Sequence, residues 1–102
     1  MKAPEQCMDM ADLRKQIDTL DKELTAMLAR RAAYIDRASQ LKPAAGLPAR
    51  ITPRVEEVAS NARKNAEETG FDPDLAEHIW RILIEWSIAR EERILGPSDE
   101  RN

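Results

Sequence analysis

Residues 13–41, LRKQIDTLDKELTAMLARRAAYIDRASQL, decide the fold. Positions 13, 17, 20, 24, 27, 31, 34, 38 and 41 are spaced alternately by four and three, and they read Leu, Ile, Leu, Leu, Met, Arg, Tyr, Ala, Leu. That spacing returns to one side of an α-helix and predicts a long helix with an apolar seam. Arg31 lies inside the seam. A guanidinium taken out of water is costly unless an anion meets it, so the seam either opens to water at Arg31 or holds a carboxylate there.

Working outward, Asp9 is placed to cap this helix, and no Gly or Pro interrupts it until Pro43, just after Lys42, which predicts about 32 residues. A second helix has Thr52 as N-cap and Pro53 at its first position, carries Val55, Val58, Ala59 and Ala62 on one face, and ends before Gly70. A third repeats the pattern: Asp72 caps, Pro73 starts, and Leu75, Ile79, Ile82, Leu83 and Trp86 form the expected buried stripe until Gly96 and Pro97. Residues 43–51 read as a loop rich in Ala, Gly and Pro, either a lid or a connector. Residues 1–8 and 96–102 read as disordered ends of a single domain spanning 1–102. Four aromatic residues, three glycines and the absence of alternating β-branched runs argue against a sheet, so the expected class is all-α with three helices.

At 1.5 Å per residue the first helix is about 48 Å long, whereas a compact domain of this size has a radius of gyration near ~13 Å. The helix must therefore outrun its own domain. An uncovered seam of that length calls for a second copy, and an intertwined homodimer is expected. A plain coiled-coil dimer in which Arg31 sets the register accounts for the seam equally well.

Composition removes other classes. With 42% hydrophobic and 34% charged residues, a net charge of −3 and no basic stripe, the chain lacks the footprint of a nucleic-acid binder. No apolar run approaches the roughly 20 residues that span a bilayer, so no membrane partner is expected. The single Cys7 cannot form an internal disulfide, and no apolar leader precedes it, which suits a reducing cytoplasm. Cys7 has no histidine near it in sequence and reads as an inert thiol. His78 flanks an apolar row without a second His or a nearby Cys, so it reads as structural rather than as a metal ligand.

The polar residues on inward rows carry more information. Arg31 and Lys42 are three helical turns plus about 20° apart, roughly 16 Å along one side, and long side chains there can bracket a small dianion. Arg14 lies about 25 Å before Arg31 and is rotated by about 100°, so it cannot share one small ligand with Arg31 of the same chain. In an antiparallel dimer it can join the partner's site. On the third helix the row Ile79, Leu83, Ser87, Glu91 begins apolar and ends with a hydroxyl and a carboxyl. In so charged a chain each of these residues, taken alone, reads as an ion-paired surface group. Their shared placement on core-facing rows is what points to a site.

The run Asp12-Leu13-Arg14, with Ile17-Asp18 and Leu20-Asp21 after it, then Leu28-Ala29-Arg30-Arg31, Lys42, and finally Ile84-Glu85-Trp86-Ser87-Ile88-Ala89, resembles the all-helical chorismate mutases. It is most similar to their branch that includes the bacterial isochorismate pyruvate lyases, and the opening Met1-Lys2 to Cys7 with Pro4-Glu5 resembles that branch too. The resemblance covers roughly residues 4–95.

This resemblance implies a three-helix subunit in an intertwined homodimer, acting on a small dicarboxylate and requiring neither metal nor redox cofactor. It implies that Arg14 of the partner subunit and Arg31 each bind one substrate carboxylate, and that Lys42 meets a carboxylate and the ether oxygen. Arg54 corresponds to an arginine near the substrate, and Ser87 and Glu91 line the site from the third helix. Lys42, Glu91 and Arg31 are the implied catalytic residues. Two departures stand out. Many members carry glutamine at the position of Glu91, and an ionised glutamate accepts hydrogen bonds but cannot donate one. Where many mutases hold a glutamate for the substrate hydroxyl, this chain has Val55, as the lyase-like branch also lacks that glutamate. The implied reaction is the rearrangement of chorismate to prephenate; loss of pyruvate from isochorismate, leaving salicylate, is the enzymatic alternative, and a non-catalytic coiled-coil dimer the other.

Overall fold

The structure, a computed structural model, describes residues 2–97. Among them all regular structure is helical, in agreement with the expected class: α1 is Met10–Ala45, α2 is Thr52–Thr69 and α3 is Pro73–Leu95, with a 3-10 turn at Pro4–Gln6 ahead of them. No helix among the described residues is long and apolar enough to cross a membrane. The chain forms two compact units, Met1–Tyr34 and Ile35–Asn102, with α1 contributing to both.

In the first unit the start of α1 is capped as expected: the Asp12 N–H donates to Asp9 Oδ1 at 2.8 Å. The preceding residues, expected to fray, are pinned instead. Lys2 donates from its backbone N–H to Gln16 Oε1 at 3.1 Å, and its ammonium lies 2.7 Å from Asp12 Oδ2. Beyond the cap the seam has the expected period, and Ile17, Leu20, Leu24 and Met27 are 47%, 51%, 56% and 62% exposed among the described residues.

The second unit holds the end of α1 and an antiparallel hairpin of α2 and α3. Pro43 does not stop α1, which continues to Ala45. A proline removes one donor and crowds the carbonyl four residues earlier, and near a helix end that loss is small. The stop is Gly46, which takes φ 69°; its N–H donates to the Pro43 carbonyl at 3.1 Å and the Leu47 N–H donates to the Lys42 carbonyl at 2.9 Å. These two bonds form a Schellman closure. The start of α2 also shifts by one residue: Ile51, not Thr52, is the N-cap, and its carbonyl accepts from the Val55 N–H at 3.0 Å. The first helical N–H groups have no intrahelical partner, so proline is tolerated at either of the first two positions and marks the start only to within a residue.

α2 ends at Gly70, φ 77°, with the Phe71 N–H donating to the Ala66 carbonyl at 2.9 Å. Asp72 then caps α3 through the N–H groups of Asp74 and Leu75, as expected. The hairpin interior is made of small side chains: Ala59, Ala62 and Ala66 from α2 and Ala76, Ile84 and Ile88 from α3 are buried. This corrects the expected stripe on α3. Ile79 and Leu83 are half-buried, but Leu75, Ile82 and Trp86 are 44%, 59% and 47% exposed. Along the hairpin's edge Arg63 bridges Asp74 and Glu77, and Arg81 bridges Glu77 and Glu56, which fixes the antiparallel register. Gly96 ends α3, and residues 98–102 of the expected disordered tail lie outside the described residues.

Candidate active site

The polar interior of the second unit is built where the end of α1 meets α3. Lys42 Nζ lies 2.9 Å from Glu91 Oε1, and their side chains are only 17% and 5% exposed. The same ammonium donates to the Ala49 carbonyl at 2.8 Å. Glu91 Oε1 is buried and makes no aligned hydrogen bond, so its compensation is the charge of Lys42 rather than a directed donor. Ser87, one turn before Glu91, is buried and donates to the Leu83 carbonyl at 2.8 Å. Ser39, one turn before Lys42 on α1, is the most buried polar residue and donates to the Ile35 carbonyl at 3.3 Å. A cation, a carboxylate and two hydroxyls are thus largely withdrawn from solvent in this unit.

The i, i+4 row read from sequence places Ser87 and Glu91 inward, and the structure brings Glu91 to Lys42. It does not bring Arg54 to them. Arg54 is exposed and pairs with Glu57 one turn along α2. In the first unit Arg14 is exposed, beside Lys15 and Asp18 on a shallow hollow, and Arg31 is half-buried.

Around the Lys42–Glu91 pair the charges are organised further. Arg90, one residue before Glu91, donates to both Asp36 oxygens and stacks over Trp86 at 5.4 Å. The hydrogen-bonded guanidinium holds the Asp36 carboxyl below its ordinary range. Arg50, next to Ala49, pairs with Glu85 on α3 and lowers that carboxyl likewise. A separate hollow of about 390 Å³ is lined by Pro43, Leu47, Pro48, Ile94, Leu95 and their neighbours. Its lining carries no charged side chain and offers nothing to a dianion.

The subunit is helical and buries Lys42 against Glu91, with Ser87 one turn away. The family model for chorismate mutase type II matches residues 13–92, a span that takes in all six sequence candidates. The chain belongs to the chorismate mutase type II family. Among its relatives are the isochorismate pyruvate lyase of Pseudomonas aeruginosa, 36% identical over 89% of each chain, and the chorismate mutase of Methanocaldococcus jannaschii, 26% identical over 91% of this chain and 94% of that one. The T-protein of Enterobacter agglomerans is 34% identical over 81% of this chain but only 22% of its own length.

Within this family frame, sequence reasoning missed three contributors: Ser39, Arg50 and the Ala49 carbonyl. Ser39 stands three residues before Lys42 and shares its helix face, so the one-turn spacing that relates Ser87 to Glu91 at i, i+4 finds Ser39 at i, i+3. No residue-type signal marks a main-chain acceptor such as the Ala49 carbonyl.

Proposed function

We propose that the protein is a homodimeric chorismate mutase converting chorismate to prephenate. The observation that carries this reading is the buried Lys42–Glu91 pair in a chain of the chorismate mutase type II family. The reaction is a unimolecular rearrangement: the C–O ether bond breaks while a C–C bond forms, the electrons move in a ring, and no nucleophile is needed. What remains for the protein is to select the compact conformer and to stabilise the charge that develops as the ether bond breaks.

In this proposal Lys42 meets the ether oxygen, which gains negative charge as its bond to carbon lengthens. Arg31 and Arg14 of the partner subunit each hold one carboxylate, the fork of a guanidinium matching two oxygens. Ser87 lines the site, and Arg54 exchanges its exposed Glu57 contact for the substrate. Glu91 compensates Lys42 and donates to the ether oxygen only in its protonated form. The second copy covers the exposed row Leu75, Ile82 and Trp86 of α3 and the seam of α1, since apolar patches of this extent mark interfaces.

A second reading, isochorismate pyruvate lyase, is favoured by the relative from Pseudomonas aeruginosa and by Val55 on α2, which offers no acceptor to a ring hydroxyl. Proton NMR of the products from chorismate and, separately, from isochorismate distinguishes the two. Prephenate from chorismate supports the mutase, salicylate plus pyruvate from isochorismate supports the lyase, and silence with both overturns the enzymatic reading.

A further inference from the structure

The turn that follows α1 grips Lys42 at both ends of the residue. The Lys42 carbonyl accepts from the Leu47 N–H at 2.9 Å, and the Lys42 ammonium donates to the Ala49 carbonyl at 2.8 Å. Ala49 is itself anchored. It is 3% exposed and packs in a cluster with Ala59, Ile84 and Ile88, while Arg50 beside it is tied to Glu85 of α3. The carbonyl therefore has the rigidity of the hairpin core rather than of a surface loop. Lysine carries a long, rotamer-rich stem whose freedom must be lost before its ammonium can act at a fixed point.

From this arrangement we infer that the turn at residues 46–49 is a positioning element for the Lys42 ammonium, with the Ala49 main-chain carbonyl as the positioning group. The inference rests on the reading of Lys42 as the cation that meets the substrate's ether oxygen. An ammonium has three N–H donors. With one on the Ala49 carbonyl and its charge drawn toward Glu91, the direction open to a substrate oxygen is set before substrate arrives. Such prior orientation acts on turnover more than on binding, because it lowers the reorganisation needed at the transition state.

The turn depends on Gly46 at φ 69°, and a Cβ built there meets nothing within 4 Å. Substitution at this position consequently tests backbone conformation without a steric clash. Alanine disfavours that conformation by about tenfold or more, whereas asparagine tolerates it. The test compares wild type, Gly46→Ala and Gly46→Asn in two measurements. The first is the hydrogen-bond scalar coupling between the Lys42 Nζ and the Ala49 carbonyl carbon, with the rate at which the ammonium protons exchange with water, both without substrate added. The second is kcat and KM on chorismate and on isochorismate.

Wild type is expected to show the coupling and slow exchange. Gly46→Ala is expected to exchange about tenfold faster and to lose about tenfold in kcat with KM little changed, and Gly46→Asn to restore both. Absence of the coupling in wild type overturns the inference. So does a Gly46→Ala variant that keeps wild-type exchange and kcat, or one that loses kcat while the Lys42 signals stay as in wild type. If wild type turns over neither substrate, the activity reading fails, and the coupling and exchange measurements still decide whether the turn positions Lys42.

Discussion

Lys42→Met preserves the length and apolar stem of the side chain and deletes the charge that compensates Glu91. Glu91 is 4% exposed, and its Oε1 has no aligned hydrogen bond to fall back on. The variant has two ways to fold. Keeping an unpaired buried carboxylate costs about 3–5 kcal/mol. Protonating an ordinary carboxyl at pH 7 costs about 3–4 kcal/mol. The cheaper route sets the loss, so Lys42→Met is expected to lose about 3 kcal/mol at pH 7. The reverse deletion is milder. In Glu91→Gln the ammonium keeps the Ala49 carbonyl and a flexible stem that reaches toward water, so the expected loss is about 1 kcal/mol. Urea denaturation followed by the fluorescence of Trp80 and Trp86, at one fixed protein concentration, reads both losses. A Lys42→Met variant that loses no more than Glu91→Gln would refute the account of a buried carboxylate compensated by one lysine.

Four further expectations follow. Arg31→Leu lowers kcat/KM by about 10²–10³ while the helical circular dichroism is retained, as for the loss of one charged contact to a developing transition state; unchanged kinetics rule out its assigned role. Asp36, Glu77 and Glu85 are held below their ordinary range by hydrogen bonds from Arg90, from Arg81 and Arg63, and from Arg50. Their stabilisation is present above the unfolded carboxyl values and lost as the pH falls through the lower folded ones, so the melting temperature is flat above about pH 5 and drops below about pH 4. Asp36→Asn flattens part of that drop, and an unaltered profile would show the Arg90 pair to be idle. Ile82→Glu places a charge on the exposed row of α3 and is expected to give monomers by sedimentation, whereas the unsubstituted chain is expected to sediment as a dimer and to show a denaturation midpoint that rises with concentration. Finally, glutamine donates where an ionised glutamate only accepts, so Glu91→Gln is expected to retain or raise kcat on chorismate at pH 7, and a loss of kcat rejects a donor role at the ether oxygen.

What the sequence reveals follows the range of each interaction. The caps at Asp9 and Asp72 and the period of residues 13–41 are legible because a capping carboxylate and its N–H lie within three residues, and an apolar row needs only a spacing. Pro43 misleads because its restriction acts backwards along the helix, whereas the residue that ends α1 is the unobtrusive Gly46 three positions later. The inward face of α3 is hidden for a different reason. Ala76, Ser87 and Glu91 are small or polar and look like surface, while Leu75, Ile82 and Trp86 look like core. Hydrophobicity says that a side chain seeks cover without saying whether the cover comes from its own chain or another. Ser87 and Glu91 are legible all the same, because their i, i+4 spacing continues an apolar row.

That division of labour on α3 bears on where the stability resides. The buried apolar side chains among the described residues are five alanines and two isoleucines, while leucines, methionines, a tyrosine and a tryptophan stand exposed. Transfer energy scales with area, and an alanine methyl contributes little of it. The alanine interior is therefore better understood as a spacer than as the main source of stability. Small side chains line the interior between α2 and α3, and Glu91, Ser87 and Ala49 are buried alongside them, with Glu91 and the Ala49 carbonyl both meeting Lys42. Larger core residues would hold the helices apart and admit water around the pair, weakening the electrostatics on which the proposed chemistry depends. The hydrophobic driving force forgone inside the hairpin is recovered, in the proposed homodimer, by the large side chains on its outer face. On this proposal the inner face shapes the site and the outer face stabilises the assembly, so Ile82→Glu is expected to lose activity without touching a residue proposed to meet substrate.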